Sequence, residues 1–482
     1  MTKQYVIGID GGSQSSKVAV FDLKGQVICE GIEKLKPLQR PRHGAVEHPD
    51  DDLWDSLCIA GRRAFENFPG DVKDILGVGL CTIRCCRADL KEDGSLASPV
   101  MSWMDERLSR PYEHLNPEVR YVTTSSGYIG FRLTGEFRDT ASNYEGPWPI
   151  DKNTWDWSTD PEILKQYNIP RHMLFDLISP GSVLGYVTEE ASRQTGIPAG
   201  LPVAATANDK AVEALGAGLL PGSTALVSLG TYIASMVYGS RNIPDAQHFF
   251  SNMASVPNHF LYESGGIRKG MWTVSWFRDL LGDDVRREAK CRGLTPDQYL
   301  DEEAAKVPPG SDGLMTVLDW LAPPQQPFRR GMMIGFDGRH GKGHIARSIL
   351  EGIALTMKNH ADSMCRELDI SLDEIIVSGG GSNSRVFMQI FSDVFGVPAK
   401  RTVVNDAASA GSAVCAAVAV GAYPSFSEAV RNMVHQRDVF LPDAEHSAWY
   451  QQYNNQVYRN IKGYTDELLK QAHGLFSGNE ET

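Results

Sequence analysis

At 482 residues the chain is too long for one ordinary hydrophobic core, so two large domains are expected. Hydrophobic residues make up 42% and charged residues 22%, the balance of a soluble globular protein. The net charge of −13 argues against a nucleic-acid or membrane-surface partner, since either would need a basic face. It leaves room for one local anion pocket.

The start, MTKQYVIGIDGG, lacks a signal-peptide pattern. The most apolar late stretch, Ala407 to Tyr423, contains Ser409 and Ser412 and falls short of a membrane span. A cytoplasmic protein is expected. The eight cysteines form no CxxC pair. Cys81, Cys85 and Cys86 cluster without a histidine at zinc spacing, so buried free thiols are expected rather than a metal site.

Taken in order, Tyr5-Val6-Ile7-Gly8-Ile9 reads as a buried strand. It ends in Asp10-Gly11-Gly12-Ser13-Gln14-Ser15-Ser16-Lys17, and a second strand, Val18 to Phe21, returns. Phosphate chemistry has a use for each part of that turn. Gly11 and Gly12 permit φ > 0 and close backbone approach to an anion. Ser13, Ser15 and Ser16 offer hydroxyls, Lys17 a positive charge, and Asp10 a ligand for Mg²⁺ through waters. The plain alternative is a β-hairpin with a polar tip.

Pro49 and the following aspartates open a helix whose stripe is Leu53, Leu57, Ala60 and Ala64. Ile75 to Leu80 is a buried strand running into Arg84 and Arg87, which need partners so close to an apolar strand. A salt bridge is one reading, and a substrate pocket the other. Val100 to Arg107 is expected as another strand end, with Trp103 and Asp105 suited to polyol binding or, equally, to a solvated loop over a buried tryptophan. Pro117 to Trp157 reads as irregular and aromatic-rich.

At Asn208-Asp209 a strand gives way to a helix of small residues. Asp209 is either the helix N-cap or a well-placed general base. Thr224 to Val237 is again strand, Gly230-Thr231 turn, strand. Two such hairpins suggest a duplicated fold in which each half presents a turn to a shared phosphate. A boundary near 240, where the second hairpin ends, gives domains 1–240 and 241–482; the alternative joins that hairpin to the second half. In the second half, GRHGKG fails as a P-loop because Gly343 stands where Ser or Thr must follow the lysine. A long helix is expected over Ile345 to Leu368. Ile375 to Ser378 runs into Gly379-Gly380-Gly381 and then a helix, an arrangement that admits a flat ring or a phosphate to the backbone.

The order DGGSQSSK, EHPDDDLW, WMDER, NDKAVEALGAG, SLGTYIA, VSGGGSNSRVFMQIFSDVFGVP and DAASAGSAVCAAVAVG resembles the FGGY carbohydrate kinases, from about Tyr5 to Tyr423. That family includes glycerol, xylulose, ribulose and fuculose kinases. The resemblance implies an α/β fold of two ribonuclease-H-like domains, the actin/Hsp70/sugar kinase architecture, with a deep inter-domain cleft. It implies ATP and Mg²⁺ as cofactors, and Asp209 as the base that accepts the proton of the attacking hydroxyl. Asp10 and Asp209 fall at the metal positions. Gly12, Ser13, Gln14, Ser15, Lys17, Gly230, Thr231, Gly335, Gly380, Gly381 and Ser384 fall at nucleotide positions. Arg84, Trp103, Asp105 and Asn208 fall at substrate positions. The partner implied is a small sugar or polyol, and the assembly a homodimer.

The chain departs from the family in three places. Cys85 replaces the glutamate that glycerol kinases carry after the substrate arginine. Lys210 replaces a neutral residue. The stretch from Arg107 to Tyr128 is short, without a helical segment that helps wall the substrate site. These changes leave phosphoryl transfer in place and open the identity of the acceptor. An actin-like nucleotide-dependent sensor without transfer activity is the alternative reading, and a plain ATPase the third.

Overall fold

A computed structural model describes residues 4–323 and 325–477. Two mixed sheets carry the chain. The first is built from β1 (Tyr5–Gly11), β2 (Ser15–Asp22), β3 (Val27–Lys34), β4 (Ile75–Thr82), β5 (Val183–Tyr186) and β6 (Pro202–Ala204), in the order β5-β6-β4-β1-β2-β3. The second is built from β7 (Thr224–Leu229), β8 (Ile233–Gly239), β9 (Phe249–Met253), β10 (Phe260–Ser264), β11 (Glu374–Ser378), β12 (Ala399–Thr402) and β13 (Gln436–Phe440), in the order β9-β10-β8-β7-β11-β12-β13.

The sheets repeat one plan. In the first, β1 pairs antiparallel with β2 and parallel with β4, and β4 pairs parallel with β6. In the second, β7 pairs antiparallel with β8 and parallel with β11, and β11 pairs parallel with β12. The duplication inferred from the two hairpins is therefore present. The boundary at 240 is not where the sheets divide. The second hairpin, β7–β8, hydrogen-bonds to β10 and β11 and belongs wholly to the second sheet. The division falls between α3 (Asp209–Gly216) and Thr224.

Alternation explains why β1 and β2 are buried on both faces. Ile7, Ile9, Val18 and Val20 enter a core with Leu53 and Leu57 of α1 (Asp52–Glu66). Val6, Ala19 and Phe21 enter another with Ala413 and Val414 of α7 (Ala407–Ala419). That helix lies far along the chain yet packs on β1, β4 and α3, so the 241–482 division also fails there. Gly216 and Gly411 permit its crossing with α3, since a Cβ on either would strike the backbone of the other helix.

Two further expectations are corrected. Val100–Arg107 is not a strand end: it makes only isolated bridges, Met101 to Glu47 and to Arg87, before a 3₁₀ turn at Glu106–Ser109. Within the region read as irregular lies α2 (Ser125–Thr134), capped by the Thr124 hydroxyl and stopped by Gly135 at φ 76°. Its glycines and serines look like loop composition, but close packing against β4 and β5 fixes it. In the second half, α4 (Gly270–Leu280), α5 (Lys342–Leu368) and α6 (Arg385–Phe395) cover the sheet. Among the described residues no helix is long and apolar enough to cross a membrane.

Candidate active site

The strand ends of both sheets meet around α3. Asp10 is the penultimate residue of β1, and its carboxyl is held well above its usual range. Burial is the main cause, followed by the carboxylates of Asp406, Asp209 and Glu213. The turn after it is closed by Gly12 N–H donating to the Ser15 carbonyl at 3.0 Å. Neither Gly11 nor Gly12 has a positive φ, so the freedom expected of them is not used. Ser13 and Gln14 are exposed at the tip. Lys17 does not point freely at the tip: its ammonium pairs with Glu30 at 2.6 Å and Asp406 at 3.2 Å. Asp406 caps α7, so Lys17 steadies that helix start.

Asn208, not Asp209, is the N-cap of α3: its Oδ1 accepts from Ala211 N–H at 3.2 Å. Its Nδ2 donates to the Ser142 carbonyl at 2.9 Å, and the side chain is fully buried. Both ends of the amide thus bond to the protein and fix the start of α3. Asp209 then occupies the first helical position, where its negative charge meets the positive helix end. Burial raises its carboxyl; Arg84 and Lys210 pull against that rise.

Arg84 lies 3.8 Å from Asp209 and forms a two-pronged pair with Glu263 of β10, both bonds 2.9 Å. Glu263 is fully buried and also accepts from the Asn252 amide. Arg84 of the first half is thereby oriented by the second. Beside it, Cys85 takes a left-handed backbone (φ 61°), and burial pushes its thiol up to about 11. Cys81 and Cys86 are buried free thiols, as expected.

A cavity of 540 Å³ opens from Cys85, lined by Trp103, Leu108, Arg110, Pro147 and Tyr167 among others. Trp103 is 47% exposed there. Asp105 touches the same cavity, but its carboxylate is fully engaged. It accepts from Val46 N–H at 2.7 Å and from the Arg107 guanidinium at 2.8 and 2.6 Å. These bonds hold the Trp103 loop against Val46 and Arg107.

On the second sheet, the carbonyls of Gly230 and Thr231 accept from Met271 and Gly270 N–H at the start of α4. After β11, Gly379 takes φ 88°, where a Cβ would sit 2.5 Å from the Leu229 carbonyl. Gly380 next to it is exposed and faces open space, and Gly381 packs under Leu229. Ser384 caps α6 through Phe387 N–H at 3.1 Å, so its hydroxyl is structural. Gly335, at φ 101°, follows a short strand over Met332–Ile334.

Three residues escaped the sequence reading. Glu263 and Asn252 were hidden inside apolar strands. Glu213, one turn after Asp209, accepts from Lys210 at 2.9 Å, Ser228 at 2.8 Å and Ser378. Burial pushes its carboxyl up, yet Lys210 and these hydroxyls bring it below the usual value. The faint signal for Glu213 was an acid among the small residues of α3. Among the described residues no group of three His, Cys, Asp or Glu could hold a metal ion directly.

Two sheets of one plan, with the helix that Asp209 begins lying between them in the chain, give the two-domain α/β architecture that sugar kinases share with actin and Hsp70. Family models make the assignment specific. The model for the N-terminal domain of the FGGY carbohydrate kinases matches residues 5–121 and 108–216, and that for the C-terminal domain residues 225–420. The chain belongs to the FGGY family of carbohydrate kinases, phosphotransferases whose activity is ATP-dependent phosphorylation of a sugar. It is 51% identical over 478 residues to an uncharacterized sugar kinase, YgcE, of Escherichia coli K12, covering 99% of this chain and 97% of that protein. It is 25% identical to the autoinducer-2 kinase of the same strain, over 98% of this chain and 96% of that one. Among solved structures, xylulose kinase from Rhodospirillum rubrum superposes with TM-score 0.80 at 22% identity, over 97% of this chain and 100% of that one. Plasmodium falciparum glycerol kinase with ADP does so at 0.78 and 18%, over 95% and 99%. At those identities the likeness speaks to the fold.

Proposed function

We propose that the chain transfers the γ-phosphoryl group of ATP to a hydroxyl of a small sugar, ketose or polyol, with Asp209 as general base. The observation that carries this reading is the placement of Asp209. It stands at the first position of α3, 3.8 Å from Arg84, on a helix whose Glu213 is bonded to the strand ends before both nucleotide turns. Phosphoryl transfer asks mainly for alignment and charge neutralisation, and a base within reach of the acceptor hydroxyl completes it.

The site fits Mg·ATP. Burial and then the neighbouring carboxylates push the Asp10 carboxyl up, an environment that a divalent cation would relieve. Asp10 and Asp209 would hold Mg²⁺ through waters. The ion would neutralise the phosphate oxygens. Arg84, fixed by Glu263, would orient acceptor hydroxyls, and Trp103 would cover a C–H face of the sugar.

The test is ADP release with Mg·ATP against ketopentoses, deoxyketoses, tetritols, pentitols and glycerol, beside Asp209→Asn. Stimulation by one acceptor, reduced on the order of 10²-fold or more in the variant, is expected. Near-wild-type turnover by Asp209→Asn would remove the base from this role. Mg·ATP binding without acceptor-stimulated ADP release would favour the sensor. A homodimer is the assembly proposed, supported by apolar Tyr464 and Leu468, 83% and 67% exposed on the helix Ile461–Ser477. A monomeric mass in sedimentation would refute it.

A further inference from the structure

Lys210 is a departure from the family, and taken alone it puts an extra positive charge beside the base. The structure gives it a set of companions. Its ammonium donates to Glu213 at 2.9 Å and to the Ser228 hydroxyl at 2.6 Å. The Glu213 carboxylate accepts from Ser228 on one oxygen and from Ser378 on the other. Ser228 and Ser378 are register partners on the adjacent parallel strands β7 and β11. Immediately after Leu229 lies the Gly230–Thr231 turn; immediately after Ser378 lies Gly379, the positive-φ start of the glycine turn. Lys210 and Glu213 are each about 15% exposed, so their charges are held away from bulk water.

We propose that Glu213 is a positioning residue that couples both nucleotide turns to Asp209. Its carboxylate grips the paired ends of the two central strands of the second sheet, while its backbone belongs to the helix that begins with Asp209. A nucleotide that orders the two turns fixes Ser228 and Ser378. They fix Glu213, and one helical turn back Asp209 is set in place. Lys210 neutralises the buried carboxylate and adds a second bond to Ser228. This role presupposes the kinase reading above.

The test uses the full chain and Mg·ATP alone, so it needs no acceptor. Amide hydrogen exchange is followed over residues 209–216, with and without Mg·ATP, in the wild type, in Glu213→Gln and in the double variant Ser228→Ala/Ser378→Ala. Calorimetry measures Mg·ATP affinity in each. The double variant leaves the Lys210–Glu213 pair intact, so it serves even where Glu213→Gln fails to fold. In the wild type, Mg·ATP is expected to slow exchange in this helix about tenfold. In the double variant the affinity stays within about threefold and the slowing disappears. A merely structural pair would lower the melting temperature without touching this nucleotide-dependent difference. Equal slowing in wild type and variants overturns the coupling. So does loss of Mg·ATP binding in the double variant, which would place the serines on the nucleotide itself. A wild type that binds no Mg·ATP overturns the kinase reading, and the coupling with it.

Discussion

Replacing Glu263 by Gln is the sharpest probe of the acceptor side. The wild-type carboxylate is fully buried and holds Arg84 through two bonds of 2.9 Å. The Arg84 side chain is 18% exposed, so water cannot take the place of the lost partner. Removing one member of such a buried pair costs about 3–5 kcal/mol. Arg84 retains one nearby carboxylate, Asp209 at 3.8 Å. At an effective dielectric of ~20 the raw attraction across that distance is about 4 kcal/mol, only part of which survives desolvation. A net loss of about 2–4 kcal/mol follows, or about 4–16 °C in melting temperature for a half of this size. The partial rescue has a functional cost. Arg84 closes on Asp209, the proposed base, and turnover should fall on the order of 10²-fold, as for loss of a general base. Scanning calorimetry gives the first quantity and coupled ADP release the second. A Glu263→Gln protein that melts within about 1 °C of wild type, with turnover within about twofold, would refute the clamp.

Gly379→Ala should disrupt the turn after β11, because the backbone is left-handed and the new Cβ meets the Leu229 carbonyl at 2.5 Å. A loss of about 1–3 kcal/mol and weaker ATP binding are expected, whereas Gly380→Ala, facing open space, should melt like wild type. Urea titration of the two variants checks the contrast. Asp10→Asn should raise the melting temperature of nucleotide-free protein while abolishing activity. The Asp10 carboxyl titrates above its unfolded value, so its ionised form weakens the native state at neutral pH. A lower melting temperature for Asp10→Asn would contradict that sign. Burial raises Asp139 from 3.8 to about 6. Its contribution to stability is therefore full below 3.8 and lost as pH rises through about 6. Asp139→Asn should gain on wild type by on the order of 1–3 kcal/mol between pH 4 and 7 in urea unfolding, and a pH-independent difference would refute this.

What the sequence discloses and what it hides divide along a physical line. The turn after β1, the cap and first residue of α3, and the three glycines after β11 are local features, set by neighbours a few positions away. Local chemistry is what residue types and spacing encode. Residue types alone place Asp209 at a strand-to-helix junction, although the cap beside it is Asn208. The 240 boundary failed for a non-local reason. A hairpin's shape does not say which sheet it joins, and that is settled by register with β11, as in Ser228 opposite Ser378.

The charge arrangement of the site is non-local throughout. Arg84 and its partner Glu263 are 179 residues apart, and Glu213 reaches across 165 residues to Ser378. No spacing rule links such positions. Glu263 lies in the strand Phe260–Ser264 and Glu213 among the small residues of α3, and neither local pattern marks the acid. Lys17 and Asp105 show the converse: their side chains suit phosphate and sugar, and each also has an ionic partner that no local pattern announced. A polar residue type in the right turn therefore establishes the chemistry a site could use. Which of those groups remain open to a ligand depends on pairings that only the folded chain makes. That is why the reaction class was legible here and the acceptor was not.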